Sequence, residues 1–286
     1  MRDSVPAPYS PTSYGRHDGE AVVQTPHTVK TLQGEATELL LTLLSEMDGE
    51  TAASDLVDRV TGASPEHVEL LYENALAYDA RAIPAALAAA GHGHVLEPLL
   101  PAIAPANHQS VPERLDACAV AVFGHRERIS PVIARLRGAG VTVTDGVDGD
   151  PDVVLLSELL ERDTAWSAAN EAWLDSAATL VRTRLTTTGW RLGPVFTPDA
   201  PACLNCLYQR VDANGAGGRL FTETVGGDPA HAGAYGDTVT GLLFGTLLGQ
   251  VPRYMDDQFV VYDHYDQDVR TPRVFALPHC EVCAGV

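Results

Sequence analysis

The chain has 286 residues, of which 45% are hydrophobic, so it can form one large domain or two small ones with sizeable cores. Its formal net charge of −19 gives a surface that repels nucleic acid. The sequence has no run of about 18 apolar residues that would predict a membrane span, and its N-terminus lacks the apolar core of a signal peptide. We therefore expect a cytoplasmic protein that binds neither nucleic acid nor membrane.

The first part of the chain predicts a small α+β domain behind a tail. Residues 1–13 are rich in Pro and Ser, which is typical of disorder. Residues 21–24 and 28–32 have the pattern of short strands, and three amphipathic helices follow them. Two strands and three helices predict a winged helix-turn-helix domain, which we place at residues 14–85.

This predicted domain type often binds DNA, but its third helix has the wrong charges for that role. The helix expected after Ser64 presents Glu69 and Glu73 outward and almost no Lys or Arg, whereas phosphate contacts need positive charge. A sheet edge could instead accept an extended peptide as an added strand; the alternative is a domain that only packs on its neighbour. The predicted peptide-binding residues are five of the second strand and two of the third helix, namely Thr28, Val29, Lys30, Thr31, Leu32, Val68 and Tyr72.

The pattern changes twice after this domain. Residues 86–112 are mostly Ala, Pro, Gly and His and predict a linker. From residue 113 onward, apolar runs alternate with helical patterns, which is typical of a doubly wound α/β sheet. Continuous apolar runs also suit strands buried on both faces. The strands predicted within residues 113–286 include residues 117–124, 141–144, 152–156 and 179–183.

Four of the five cysteines form two CxxC pairs, Cys203 with Cys206 and Cys280 with Cys283. Each pair points two thiolates at one place, and two pairs complete a tetrahedral Zn²⁺ shell without an open position, which is typical of a structural site. The long separation of the pairs excludes a compact zinc ribbon. One redox CxxC or two disulfides are the alternatives. The fifth cysteine, Cys118, fits a buried strand position.

The flanks of these pairs carry a resemblance to a known family. Residues 193–198 read GPVFTP, residues 202–207 read ACLNCL, and residues 277–283 read LPHCEVC. This pattern resembles the ThiF-like proteins encoded beside YcaO cyclodehydratases, which belong to the ubiquitin-activating-enzyme superfamily. In those proteins a peptide-binding winged-helix domain precedes the ThiF-like domain. The resemblance spans most of the chain and implies a degenerate ThiF-like domain with zinc over residues 113–286.

The resemblance implies a non-catalytic role in peptide modification. The winged-helix part would bind the leader of a ribosomally synthesised precursor peptide, and the ThiF-like part would dock on the YcaO enzyme. That enzyme uses ATP to convert Cys, Ser or Thr into thiazolines or oxazolines. Holding the leader makes the encounter with the core peptide intramolecular. The expected partners are therefore a YcaO cyclodehydratase and a leader peptide; a homodimer is compatible with the pattern, and no catalytic residue is predicted.

The adenylating members of the superfamily have GxGxxG after the first strand, because these glycines let backbone N–H groups approach phosphates. Here residues 123–129 read FGHRERI, and only Gly124 matches. Asp145 could offer a carboxylate to a ribose, and Arg126 and Arg128 could bind an anion. We nevertheless expect a solvated loop there, and structural zinc rather than ATP as the cofactor.

Two other functions remain open at this point. One is a divergent adenylyltransferase of the ThiF/MoeB type that acts on a C-terminal carboxylate, which would need an ATP site that the sequence does not reveal. The other is a zinc-stabilised winged-helix regulator, which the net charge of −19 disfavours.

Overall fold

A computed structural model of the protein describes residues 3–17, 20–146, 149–158, 164–186, 189–213, 229–250, 260–263 and 268–283. Contacts between residues divide the chain into two compact units, residues 1–114 and residues 115–286, which we call the N-terminal unit and the C-terminal unit. Within the described ranges, no helix is long and apolar enough to cross a membrane.

The N-terminal unit contains two antiparallel sheets. Strands β2 (Ser13–His17), β3 (Glu20–Gln24) and β4 (Val29–Leu32) form a three-stranded sheet in that order, so β4 is one of its edges. Strand β1 (Pro6–Pro8) pairs with β5 (Ala77–Asp79) in a second, two-stranded sheet. The two strands that the sequence predicts in this region correspond to β3 and β4.

Three helices follow the larger sheet: α1 (Thr37–Glu46), α2 (Ala53–Arg59) and α3 (Pro65–Glu73). Their apolar faces meet in one core, as the helical spacing of their leucines predicts. Val23 of β3 belongs to the same core, and the fully buried leucines are Leu43, Leu56 and Leu71. The order of three strands followed by three helices is compatible with a winged-helix domain, which stays a prediction.

The predicted disordered tail is wrong for residues 3–13. Strand β1 pairs with β5, and the backbone N–H of Ala53 donates to the carbonyl oxygen of Ser4 at 2.7 Å. Tyr9 is buried, and its ring centroid lies 5.0 Å from that of Tyr78. Strand pairing and aromatic burial, both made with residues distant in sequence, outweigh the local Pro and Ser content.

The predicted linker at residues 86–112 is also wrong, because these residues pack within the N-terminal unit. Helix α4 (Ala85–Ala89) is followed by three short 3₁₀ segments. Leu87, Leu96 and Leu100 are buried in them, and His108 is buried with Nε2 within 3.2 Å of two carbonyl oxygens. The Ala- and Pro-rich composition hides these widely spaced apolar residues. The 3₁₀ segments are Gly93–Val95, Glu97–Ala102 and Pro105–Ser110.

The C-terminal unit is built on a seven-stranded mixed sheet of order β12-β11-β10-β9-β8-β6-β7. Its parallel half consists of β6 (Ala119–Gly124), β7 (Thr142–Asp145), β8 (Val153–Glu158) and β9 (Thr179–Leu185), which match the four strands named from the sequence. All six residues of β8 are buried, as a central strand covered on both faces requires.

The other half of the sheet is antiparallel and extends the predicted architecture. It consists of β10 (Gly189–Phe196), β11 (Val260–Asp263) and β12 (Asp268–Arg270). Strand β12 is short and ends at Arg270. Pro272 follows closely and cannot donate to a strand ladder, which explains the early end.

Helices cover this sheet and bring the cysteines onto it. Helices α7 and α8 pack against β6, β8 and β9 in one core that also contains Cys203, Cys206 and Cys280. Helix α6 contacts the long helix α9. The helices of this unit are α6 (Ser130–Gly138), α7 (Ala165–Leu174), α8 (Leu204–Ala213) and α9 (Pro229–Leu247), after α5 (Val111–Asp116) at the boundary between the units.

Candidate metal centre and binding surfaces

The two CxxC pairs come together in the C-terminal unit, and we call their four side chains the cysteine cage. All four Sγ atoms lie within 4.8 Å of one another. The Sγ of Cys203 lies 3.9 Å from that of Cys206 and 3.7 Å from that of Cys280, and the Sγ atoms of Cys206 and Cys283 are 3.5 Å apart. A Zn–S bond of about 2.3 Å separates the sulfurs of a tetrahedral site by about 3.8 Å. The cage therefore has the size of a four-thiolate metal site.

The start of helix α8 presents the first pair. Cys203 directly precedes α8 and its carbonyl oxygen accepts from the backbone N–H of Leu207 at 3.3 Å, while Cys206 lies in the first turn. The free N–H groups of a helix N-terminus favour negative charge on nearby sulfurs. Asn170 of α7 fixes this end of α8, because its Oδ1 accepts from the Leu204 N–H at 3.0 Å.

Two further donors point at the sulfurs. The side-chain amide of Asn205 donates to the Sγ of Cys280 at 3.5 Å, and the backbone N–H of Leu277 donates to the Sγ of Cys206 at 3.4 Å. Donors of this kind orient metal ligands and stabilise thiolate charge. They also tie the end of the chain to α8, as the sequence predicts for a long-range site.

Cys203 and Cys283 resist ionisation unless a cation lies beside them. Burial raises the pKa of Cys203 far above its usual value, and burial together with the contact to Cys206 raises the pKa of Cys283 to about 12. Burial acts in the same direction on Cys280, but backbone N–H groups of Cys283 and Val282 and the Asn205 amide outweigh it and lower the pKa of Cys280 to about 6. The thiolate of Cys280 can attract a cation, whose positive charge would then favour the ionised forms of Cys203 and Cys283.

The donor set is therefore compatible with zinc. Four sulfurs form a closed shell, three of the four cysteines are buried, and no coordination position remains for a substrate. Within the described ranges this is the single group of His, Cys, Asp and Glu side chains with such a geometry. Such a centre would stabilise the fold rather than catalyse a reaction.

The carboxyl ends of β6 and β8 form the switch point where doubly wound folds bind ligands, and here protein groups occupy it. Gly124 has φ of +87°, and a Cβ at this position would clash with the carbonyl oxygen of Ser157. The next residue, His125, donates its backbone N–H to that same oxygen at 2.9 Å. The loop after β6 thus donates to β8 a backbone N–H group that a phosphate-binding loop would direct toward its ligand.

The side chains that the sequence offers to a nucleotide pair with each other. Arg126 forms an ion pair with Asp145 at the end of β7, and its guanidinium also lies 3.4 Å from the carbonyl oxygen of Thr144. The carboxylate proposed for a ribose and one arginine proposed for an anion therefore neutralise each other.

A buried charged network at the ends of β8 and β9 was missed by the sequence analysis. Glu158 and Arg182 are almost fully buried, and both Nε and one terminal nitrogen of Arg182 lie 2.6 Å from the Glu158 carboxylate. Tyr208 of α8 donates to the same carboxylate, and its ring centroid lies 5.7 Å from the guanidinium carbon of Arg182. Burial raises the pKa of Tyr208 far above its usual value, so the phenol stays a donor. Charged residues within otherwise apolar strands were the signal available in the sequence.

In the N-terminal unit, β4 presents backbone groups on its free side. The backbone N–H of Thr25 donates to the carbonyl oxygen of Thr28 at 2.9 Å, which makes these residues a hydrogen-bonded pair in the β3–β4 register. Because bonded and non-bonded pairs alternate along antiparallel strands, Lys30 bonds to β3. The N–H and C=O groups of Val29 and Thr31 therefore point away from β3, along the edge of the sheet.

The predicted peptide-binding residues divide into two groups. Val29 is 63% exposed and Thr31 is also exposed, so the edge of β4 can be approached. Val68 and Tyr72 are instead 1% and 5% exposed within the helical core, so their prediction as groove residues is wrong. The apolar spacing that singled them out marks the buried face of α3, whose exposed apolar residue is Leu70.

Neither a protein family nor a curated protein matches the sequence. Solved structures nevertheless share its fold. A heterocyclase in complex with substrate and cofactor is 16% identical over 97% of this chain and 39% of its own, with a TM-score of 0.65. The heterocyclase TruD is 16% identical over 98% of this chain and 43% of its own, with a TM-score of 0.64.

The fold is also similar to that of Escherichia coli MccB, which is 8% identical over 97% of this chain and 96% of its own, with a TM-score of 0.59. A structure of E. coli MccB with ATP gives 9% identity and a TM-score of 0.61. The chain thus spans about two fifths of the heterocyclases and nearly all of MccB. At these identities, the comparisons show a shared fold.

Proposed function

We propose that the chain is a non-catalytic partner of a YcaO cyclodehydratase, which binds the leader of a ribosomally synthesised precursor peptide and presents it for thiazoline or oxazoline formation. The observation that carries this proposal is the match of 97% of the chain to 39% of a heterocyclase in complex with substrate. A chain of this size corresponds to one part of such an enzyme. The catalytic part would come from the YcaO partner.

The leader would bind at the edge of β4 as an added strand. The outward N–H and C=O groups of Val29 and Thr31 would set its register, and side chains on alternate faces would select its sequence. A cavity of about 340 Å³ lies at the end of β4. It replaces Val68 and Tyr72 as the site for a leader side chain, and its lining includes Leu32, Thr37 and Glu38. We expect roughly micromolar affinity, since ordering a flexible leader costs entropy.

The C-terminal unit would dock on the enzyme and would not turn over ATP. Cys203, Cys206, Cys280 and Cys283 would hold a structural zinc ion, which fixes the last described residues to α8. Contacts made by the protein's own groups at the ends of β6 and β8 support the absence of a nucleotide site in this proposal.

Reconstitution tests the proposal. A cognate YcaO cyclodehydratase should modify its precursor peptide quickly only when the chain is added, with one water lost per ring in the mass spectrum. Deleting the leader from the precursor should remove the stimulation. Equal rates with and without the chain, or equal stimulation of a leaderless peptide, would contradict the proposal.

A second candidate function is supported by one observation, the match to nearly the whole of MccB, including a structure with ATP. The chain would then be an adenylyltransferase acting on a peptide carboxylate. Pyrophosphate exchange separates the two functions. We expect no exchange with this chain alone and a C-terminal peptide carboxylate, whereas exchange dependent on the peptide would establish the second function.

A further inference from the structure

The most exposed large apolar side chains among the described residues of the C-terminal unit lie within one stretch of the sequence. Among the described residues of this unit, the large apolar side chains with the greatest exposure are Val269 at 60%, Phe275 at 57% and Val282 at 36%. All three lie within residues 268–283, which we call the terminal segment. The terminal segment is therefore where this unit, over its described residues, offers large apolar side chains to another molecule.

Arg210 of α8 holds the most prominent of these side chains in place. Its Nε donates to the carbonyl oxygen of Phe275 at 2.8 Å, and a terminal nitrogen donates to that of Ala276 at 3.0 Å. The guanidinium carbon also lies 6.0 Å from the centroid of the Phe275 ring, within the range of a cation–π contact. The backbone on either side of the exposed ring is thus fixed by charge-assisted hydrogen bonds.

The cysteine cage fixes the other end of the same segment. Cys280 and Cys283 meet Cys203 and Cys206 at the start of α8, and Val282 lies between the second pair. Arg210 is two turns further along α8, about 10 Å from Cys203 at 1.5 Å per residue. The backbone at Phe275 is therefore held by Arg210, and the backbone around Val282 is held by the cysteine cage at the start of the same helix.

An exposed aromatic ring on a backbone fixed in this way is unfavourable for the isolated chain unless the ring contacts a partner. Binding loses less entropy when the anchoring side chain is already ordered, and aromatic anchors beside arginine are typical of the energetic centres of interfaces.

We infer that the terminal segment, with Phe275 as its anchor and Arg210 as its positioning residue, is the surface on which the YcaO cyclodehydratase docks. This inference rests on the proposed function. The chain matches 39% and 43% of two heterocyclases, so a catalytic partner would supply what corresponds to the remaining three fifths and would need a surface of this chain to dock on. The matching face of the enzyme is an apolar pocket for the ring with neutral or acidic groups toward Arg210.

Two other molecules could occupy the terminal segment, but properties of this chain disfavour both. A second copy carries the same formal charge of −19, so association of two copies works against mutual repulsion. The leader peptide is assigned to the edge of β4, which lies in the other unit. The docking surface and the leader site therefore consist of different residues and can be mutated separately.

The experiment measures binding of the full, metal-loaded chain to the YcaO cyclodehydratase used in the reconstitution, by biolayer interferometry. Phe275→Ala should weaken binding at least tenfold, and Arg210→Ala should weaken it less while zinc content stays at one per chain. Tyr14→Ala is the matched control, since Tyr14 is an aromatic residue of the N-terminal unit with 47% exposure. It should change the affinity less than twofold. Leader binding by Phe275→Ala, measured by fluorescence polarisation, should equal that of the unaltered chain.

The outcomes separate this inference from the proposed function. Equal enzyme binding by Phe275→Ala and the unaltered chain would overturn the docking surface and leave the proposed function standing. No binding of the enzyme by the unaltered chain would overturn both. If Phe275→Ala instead converts a dimer to a monomer in analytical ultracentrifugation, with enzyme binding unchanged, the segment is a self-association surface and the inference is wrong.

Discussion

The carboxyl ends of β6 and β8 and the edge of β4 are two places where this fold could hold a ligand, and they differ in what their polar groups contact. At the strand ends the groups contact one another: His125 bonds to Ser157, and Arg126 pairs with Asp145. At the edge of β4 the backbone groups of Val29 and Thr31 point away from the sheet. The first place is closed by the protein itself, whereas the second offers hydrogen bonds to another chain.

The difference shows that proteins can share a fold and the position of a site while the chemistry at that site differs. The parallel half-sheet still creates a switch point, but the side chains there stabilise the protein. The sheet edge of the N-terminal unit needs no particular side chain to bind a peptide, because main-chain groups make the bonds. The comparison therefore supports the proposal that this chain binds a peptide at the edge of β4.

The largest expected effect comes from breaking the cysteine cage. The cage holds α8, and therefore Tyr208, next to the carboxyl end of β8. Cys203→Ser/Cys283→Ser should lose the metal and lower the melting temperature by at least about 10 °C, since metal binding is coupled to folding. Mass-spectrometric metal analysis and thermal unfolding check both expectations. Cys118→Ser is the control and should keep the metal; full occupancy in the double variant would refute the cage.

The next largest effect should come from the buried pair under Tyr208. Glu158→Ala leaves Arg182 buried without its carboxylate and should lower the free energy of unfolding by about 3–5 kcal/mol. The double variant Glu158→Leu/Arg182→Met removes both charges and should recover most of that loss. Urea unfolding measures all three proteins, and a double variant no more stable than Glu158→Ala would show that the unpaired charge of Arg182 does not cause the loss.

Proline substitutions sharpen the other half of the comparison. Val29→Pro removes an outward N–H and should weaken leader binding about tenfold while leaving the fold intact. Lys30→Pro removes an N–H that bonds to β3, so it should destabilise the N-terminal unit itself. Circular dichroism and fluorescence polarisation with the full chain separate the two effects. Identical behaviour of both variants would contradict the register of β4.

The smallest effect is expected at the exposed ion pair. Asp145→Ala should change the free energy of unfolding by less than about 1 kcal/mol, because Asp145 is largely exposed and solvent screens the pair. It should also give no ATP binding in calorimetry, since the backbone of His125 still bonds to Ser157. ATP binding gained by this variant would mean that the ion pair alone closes the site.

The sequence predicted features that depend on residue type and spacing. The CxxC pairs came together, the apolar runs became parallel strands, and Ser64 begins α3 with its backbone N–H donating to His67 at 3.0 Å. It could not predict features that depend on which residues meet across the fold. The pairing of β1 with β5, the network around Glu158 and the burial of Val68 all arise from contacts between segments distant in sequence.

Hydrogen–deuterium exchange of the full chain with and without the leader peptide tests the central claim most directly. We expect the leader to slow exchange at the backbone N–H groups of Val29 and Thr31, because these are the groups it would bond. Residues 119–126 and 153–158 should exchange at unchanged rates. Protection by the leader at the ends of β6 and β8, with none along β4, would contradict the account.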